Sequence, residues 1–271
     1  MKDLRARYGE YALVTGASSG IGAEFGEQLA AAGLNLVLVA RRKDRLDALA
    51  QRLRAAHGTT AEVVELDLAA DGAVSELARR TAHLDVGLVV ASAGIVTSGP
   101  FLGNDLAAES ALLHLNLVVP AQLAHVYGRV LARRGRGGIL LVSSAVAFAP
   151  VPYTANYAAA KAYTASLGQA LHYELKPAGI DVLTLAPGPV RSEGAASAEG
   201  IDFGKLPVPS TRPTPVVRAA LRALGRKPLV IPGALNKTSV FAGKYLTPRR
   251  VQTAVFGALV SRALDEKPRR S

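Results

Sequence analysis

The chain has 271 residues, no cysteine, 5% aromatic residues and a net charge of +11. That length suits one α/β domain, alone or with an appendage, and the lack of cysteine excludes a disulfide scaffold, a thiol nucleophile and a cysteine–zinc site. No unbroken apolar run reaches the ~18 residues of a membrane-spanning helix, the N-terminus lacks a signal-peptide block, and so few aromatics argue against stacking on nucleic-acid bases. A reducing, cytoplasmic setting is expected.

An apolar run over residues 11–14 predicts the first strand. Thr15-Gly16-Ala17-Ser18-Ser19-Gly20-Ile21-Gly22 follows it, and a helical pattern comes next. Strand, glycine turn and helix in this order make the first unit of a dinucleotide-binding fold. Gly16 permits the sharp turn, Gly20 lets backbone approach a pyrophosphate, and Gly22 lets the helix pack close to the sheet. The helix N-terminus then faces the phosphate charge.

The pattern continues with a strand over 36–40 and a helix over 45–56, whose Leu46, Leu49, Ala50 and Leu53 share a face. A strand over 61–66, a helix over 73–80 and a strand over 86–91 follow. Residues 106–131 read as one long helical region, then 139–142 as strand, 155–175 as helix and 182–185 as strand. Apolar strands alternating with helices imply a Rossmann-type, doubly wound parallel sheet with helices on both faces.

Regularity stops over 189–215, where five prolines fall. A segment this long predicts a substrate loop or lid. Thr214-Pro215 reads as an N-cap and first-turn proline of a helix to 224, with a strand at 229–231. Residues 1–232 thus form the catalytic domain. Residues 233–271 form a basic helical extension with +6 of the net charge. Past Thr247-Pro248, a stripe of Val251, Ala254, Val255, Ala258, Leu259 and Leu264 is expected to pack on the body or another subunit rather than enter lipid.

Tyr157 and Lys161 lie four apart on a helix and so share a face. A nearby cation favours a phenolate and fits the tyrosine to move protons near neutral pH. Alone, the pair reads equally well as a helix-surface contact. Ser143-Ser144 ends the strand before it. Asn116 interrupts an apolar helix, where it needs partners, catalytic or solvent. Ala91-Ser92-Ala93-Gly94 and Pro187-Gly188-Pro189-Val190 close two further strands.

In order, these motifs resemble the short-chain dehydrogenase/reductase family over residues 9–232, within its broad bacterial group of unassigned substrates. The resemblance implies that Tyr157 is the general acid in carbonyl reduction. It implies that Lys161 binds the nicotinamide ribose and lowers the tyrosine pKa. Ser144 would hydrogen-bond the substrate carbonyl, and Asn116 would hold a water in a relay with Lys161. Asp67 and Leu68 would meet the adenine. Ser92, Ala93 and Gly94 would run beside the cofactor, with Pro187, Gly188 and Val190 at the nicotinamide. One departure stands out: Ala91 and Ser92 replace the two asparagines usual in the fourth-strand motif, which predicts a weaker strand end. An alternative reading is a non-catalytic cofactor-binding sensor, but a mere binder needs no proton donor.

The second strand ends Ala40-Arg41-Arg42-Lys43, where an NAD enzyme carries an acid for the ribose hydroxyls. Cations there predict NADP, with Arg41 and Arg42 toward the 2′-phosphate. Val96, Phe148 and Tyr153 flank the site and suggest an apolar pocket for a ketone, 3-oxoacyl chain or steroid. The expected partners are that small molecule and further copies of the chain, not nucleic acid.

Overall fold

Side-chain alternation along the strands decides the architecture. In the computed structural model, which describes residues 4–191 and 210–264, seven parallel strands form one sheet in the order β3-β2-β1-β4-β5-β6-β7. They are β1 Tyr11–Thr15, β2 Asn35–Ala40, β3 Ala61–Glu65, β4 Val86–Ala91, β5 Gly137–Val142, β6 Ile180–Leu185 and β7 Leu229–Val230. Ala12, Val14, Leu36, Leu38, Leu140 and Leu183 point to one core. Leu13, Val37, Val39, Ile139, Leu141 and Val182 point to the other. Both faces of every central strand are therefore dry, and helices must cover each side.

On the first face lie α1 Leu4–Tyr8, α2 Gly20–Ala30, α3 Lys43–His57 and α8 Pro213–Ala223. The second face is covered by α4 Ala73–Arg80, by α6 Val119–Arg134 and by the inner side of α7 Ala155–Glu174. The strand order reverses between β1 and β4. A crevice opens at their carboxyl ends, where ligands of such sheets bind.

Most element ends fall within two residues of their sequence-based positions. The differences have physical causes. The region over 106–131 is not one α-helix but α5 Leu106–Leu113, a π-turn His114–Val118 and then α6. Taken together, Leu106–Arg134 is long and apolar enough by length and composition to span a bilayer, which run length alone had not shown. Here Val119, Leu123, Ala124, Tyr127 and Leu131 bury themselves in the second core, so it serves as a core helix.

Thr214 is not the cap of α8. The helix starts at Pro213 after an extended Arg212, and the Thr214 hydroxyl instead donates to Glu24 of α2 at 3.1 Å. Of the loop over 189–215, Val190 bridges Thr211, and main-chain bonds tie Arg191 and Pro189 to Thr211. The rest of that loop, 192–209, lies outside the described residues.

The extension contains two helices, α9 Ala234–Leu246 and α10 Arg249–Ala263. Val260 and Ala263 are buried against Val151 and Ala158, with Phe256 and Leu264 beside them. Of the expected stripe, Leu264 thus meets the body, while Val251, Ala254, Val255 and Ala258 face outward, Val251 and Val255 at 49% and 50% exposed. Gln252 explains the rotation, since its buried amide donates to the main-chain oxygens of Gly243 and Thr247 and so locks α10 to the end of α9.

Candidate active site

The glycine turn is fixed by close contacts. A Cβ on Gly16, which has φ +67°, would lie 2.9 Å from Ala93 Cα, and one on Gly22 would lie 2.2 Å from the Gly16 oxygen. Gly20 also takes a positive φ, +57°. Any side chain at Gly16 or Gly22 would push the β1 and β4 ends apart or lift α2 from its strand. Ile21 rides on the first turn of α2, partly buried against the first core.

Ser19 stands at the N-cap of α2, yet its hydroxyl does not cap the helix. It accepts instead from the Arg42 guanidinium at 3.0 Å, which also reaches the Ser18 hydroxyl at 2.9 Å. A cation is thereby clamped beside a helix start whose N–H groups and dipole already favour an anion. Arg41 sits next to it, 3.9 Å from the Asp67 carboxylate. Both groups are well exposed, so this pair contributes little and yields easily to a stronger anion. Asp67 also accepts from the Ala69 N–H at 3.0 Å, and Leu68 is buried below it.

The strand end at Ala91-Ser92, expected to be weaker, is tied to β1 by one hydroxyl. Thr15, fully buried at the end of β1, donates to the Val90 oxygen and accepts from the N–H groups of Ser92 and Ala93 at 3.0 and 3.1 Å.

Gly94 marks the floor of the cleft. A Cβ there would meet Asn116 Oδ1 at 2.4 Å and Lys161 Nζ at 3.4 Å, so the glycine is what lets these two groups share a space. Asn116 lies in the π-turn and is fully buried. Its amide donates to the oxygens of Ile95 and Leu112 at 2.7 and 3.1 Å, while its own Oδ1 has no partner. A buried acceptor without a donor is costly, and it faces the Lys161 ammonium side of the cleft. The Asn116 main-chain oxygen accepts from the Thr164 hydroxyl at 3.1 Å, which fastens the π-turn to α7.

Lys161 is buried and donates to the Val142 oxygen at 3.0 Å. Burial lowers its pKa to about 8. Its ammonium lies 5.6 Å from the centre of the Tyr157 ring. Tyr157 keeps part of its surface open, yet burial raises its pKa, and a hydrogen bond with Ser144 offsets part of that. Desolvation thus pushes both groups toward their neutral forms, against the 5.6 Å approach of the ammonium to the ring, which favours the phenolate. Ser144 begins the short turn Ala145–Phe148 and accepts from the Val146 N–H. Ser143, next to it, spends its hydroxyl on the Lys161 main-chain oxygen at 2.7 Å, which leaves Ser144 as the serine at the tyrosine.

Pro187 accepts from the Ala145 N–H and so joins the β6 end to the serine turn. Gly188 presses on Asn236 of α9: a Cβ would lie 2.5 Å from its amide oxygen. The extension therefore borders the site, which the division at residue 232 did not anticipate. Val190 is buried just past Pro187 and Gly188.

Val96, Phe148 and Tyr153 are all half-buried, and Tyr153 packs against the cluster of Val151, Ala158, Val260 and Ala263. Tyr153 is the single non-glycine residue with positive φ among those described, at 66°, and its oxygen accepts from Gly99 N–H at 2.9 Å. Glu109 was missed by sequence reasoning. It is buried, and accepts from Asn104 at 2.6 Å and Asn156 at 2.7 Å. Burial alone would raise its carboxyl; bonds from Thr97, Asn156 and Asn104 outweigh that and hold it below the usual value. It thereby ties the loop after β4 to the residue just before Tyr157.

The described residues contain no cluster suited to a metal ion. The assembly has a phosphate-receptive turn, a proton-moving tyrosine with a serine partner, and a lysine and asparagine behind them. Residues 10–200 match a family model described as short chain dehydrogenase. The 7beta-hydroxysteroid dehydrogenase of Collinsella aerofaciens is 31% identical over 88% of this chain and 91% of its own length. A short-chain dehydrogenase from Sphingobium yanoikuyae, solved in complex with NADPH, superposes with a TM-score of 0.78 at 33% identity, over 86% of this chain and 92% of that one. The bulky-bulky ketone specific alcohol dehydrogenase from Comamonas testosteroni gives 0.75 at 34%, over 87% and 92%.

Proposed function

The chain belongs to the short-chain dehydrogenase family, as an NAD(P)-dependent oxidoreductase of CH–OH groups, and from that premise we propose that it reduces a bulky, apolar ketone with NADPH, or runs the reverse oxidation. The observation that carries this reading is the Tyr157–Ser144 hydrogen bond with the buried Lys161 behind it. The names of the steroid and bulky-ketone relatives support the substrate class, as do half-buried Val96, Phe148 and Tyr153.

The residues fit the cofactor. Gly16, Ser18, Ser19, Gly20, Ile21 and Gly22 would cradle its pyrophosphate, and Arg41 and Arg42 its 2′-phosphate. Asp67 and Leu68 would hold the adenine. Ser92, Ala93, Gly94, Pro187, Gly188 and Val190 would frame the nicotinamide end. When bound, it supplies the hydride. Ser144 orients the carbonyl oxygen and Tyr157 donates its phenolic proton to that oxygen. A phenol is protonated at neutral pH, and a cation behind it eases transfer of that proton by stabilising the phenolate as it forms. Lys161 holds a cation near the phenolate left behind, and Asn116 Oδ1 offers an acceptor for a water that restores the proton.

Zero cysteines support a cytoplasmic setting. The outward stripe at Val251 and Val255 supports assembly of further copies through α10. A panel of ketones assayed with purified protein, NADPH against NADH, tests the reading: turnover of steroid-sized ketones with NADPH supports it. Binding of NADPH without turnover of any carbonyl would replace it with the sensor reading.

A further inference from the structure

At the amino ends of the strands, away from the catalytic cleft, α1, α2 and α8 enclose a cavity of about 480 Å³. That volume lies in the range of small-ligand sites. Its floor is apolar: Leu4, Leu221 and Leu224 line it and are buried. Its rim is cationic, with Arg7, Arg218, Arg222 and Arg226. Arg218 and Arg222 lie four apart on α8 and so share a face, and Arg226, just past the helix end, lines the cavity beside them.

The carboxylates nearby are already engaged. Asp181 takes Arg7 at 2.7 Å and the Tyr8 hydroxyl at 2.9 Å. Glu24 takes Gln28 at 2.7 Å and Thr214 at 3.1 Å. Arg7, drawn in by Asp181, also lies over the Tyr8 ring. Among the described residues, the guanidinium groups of Arg218, Arg222 and Arg226 have no hydrogen bond or ion pair. Three unneutralised guanidiniums around a dry floor repel one another and concentrate positive potential in a concave, ligand-sized space. Guanidinium forks match phosphate oxygens, and three of them match the charge of a phosphomonoester or diphosphate better than a single carboxylate.

We propose that this cavity is a second binding site, for a small organic phosphate whose phosphate group meets Arg218, Arg222 and Arg226 and whose apolar part covers Leu4, Leu221 and Leu224. The site is built from α2 and α8, the helices that begin at the glycine turn and at Pro213. It is independent of the ketone assigned above.

Inorganic pyrophosphate is the probe, titrated calorimetrically into full-length protein kept saturated with NADP so that the glycine turn is not available to it. One saturable site is expected, with a rise in Tm. Arg218→Ala with Arg222→Ala should weaken the probe at least about tenfold, because each charge-assisted bond is worth roughly that factor or more. Ketone turnover and NADP affinity should stay unchanged. Arg129→Ala with Arg133→Ala removes the same net charge elsewhere on the surface. If that control weakens binding equally, or if the cavity variant leaves it unaltered, the proposal fails. Phosphatidic acid vesicles form the last arm. Arginine-dependent sedimentation with vesicles, without pyrophosphate binding, would overturn the soluble ligand in favour of a lipid headgroup.

Discussion

The glycine turn and the C-terminal helix pair border the same cleft, but they are held there by different means. The turn is fixed by backbone: Gly16 and Gly22 each fit only because they lack a Cβ. The helix pair is held by side chains set against glycine backbone, Asn236 against Gly188 and Pro152 against Gly257. The first kind of constraint is backbone against backbone, which cannot yield. The second has a side chain on one side, which can be exchanged at moderate cost. The turn is therefore the rigid region and the helix pair the adaptable one.

The largest test of that contrast is at the point where the two regions meet. Tyr157→Phe should lower turnover by about 10²–10⁴-fold, the usual worth of a positioned acid, with NADPH affinity nearly unchanged in a binding titration. A variant that kept most of its activity would place the proton donor elsewhere.

The next effect belongs to the rigid region. Ala40→Asp combined with Arg41→Leu should reverse the preference between NADPH and NADH, measured as the ratio of kcat/KM values. Loss of one charge-assisted phosphate contact and gain of a repelling carboxylate amount to roughly 2–4 kcal/mol, about 30- to 1000-fold. Arg42, clamped by Ser18 and Ser19, should keep the variant from rejecting NADPH altogether.

A third effect is pH-dependent. Lys161 has a folded pKa of about 8 because it is buried, below the ordinary lysine value near ~10.4. Between those values the unfolded chain binds more protons, so stability rises with pH through this window. Below about 8 the buried charge exerts its full penalty; above the ordinary value the penalty is gone. Wild-type Tm should therefore gain on Lys161→Met between pH 8 and 10, and parallel curves would remove burial as the cause.

The smallest effects should come from the adaptable region. Glu109→Gln keeps the shape but weakens a carboxylate that collects Asn104, Asn156 and Thr97, and should cost about 1–3 kcal/mol in chemical denaturation. Asn236→Ala should alter KM for bulky ketones by a few-fold and leave NADPH affinity unchanged. If instead it harmed cofactor binding as much as a change at Gly22, the two regions would not be separable.

The same contrast explains what could be read from the sequence. The parallel sheet was legible because strands buried on both faces must be continuously apolar, as residues 36–40 and 86–91 are. The glycine turn, Tyr157, Lys161 and Ser144 were legible because their spacing is local. Thr15 as the tie between β1 and β4 was not, since its partners lie 77 and 78 residues away. Nor was the desolvation around Tyr157 and Lys161, because spacing reports only that the lysine lies beside the tyrosine. Which part of the α10 stripe meets the body was hidden for a similar reason: an apolar pattern cannot show that the buried Gln252 sets the rotation.

The π-turn His114–Val118 holds a last consequence, for the history of the chain rather than its chemistry. A π-turn arises when a helix accepts one residue more than its α-ladder can register, and the surplus is absorbed as a local bulge. Each residue advances an α-helix by about 100°. Deleting Leu117 or Val118 would restore a regular ladder from Leu106 to Arg134, and local helical propensity would favour it. Either side of the deletion would then be out of phase by that angle: with α6 kept on the sheet, Asn116 would swing away from Gly94, Lys161 and Thr164. The shortened protein should fold with a more regular helix and a disabled cleft. This one-residue surplus is therefore a feature that selection for stability alone would remove.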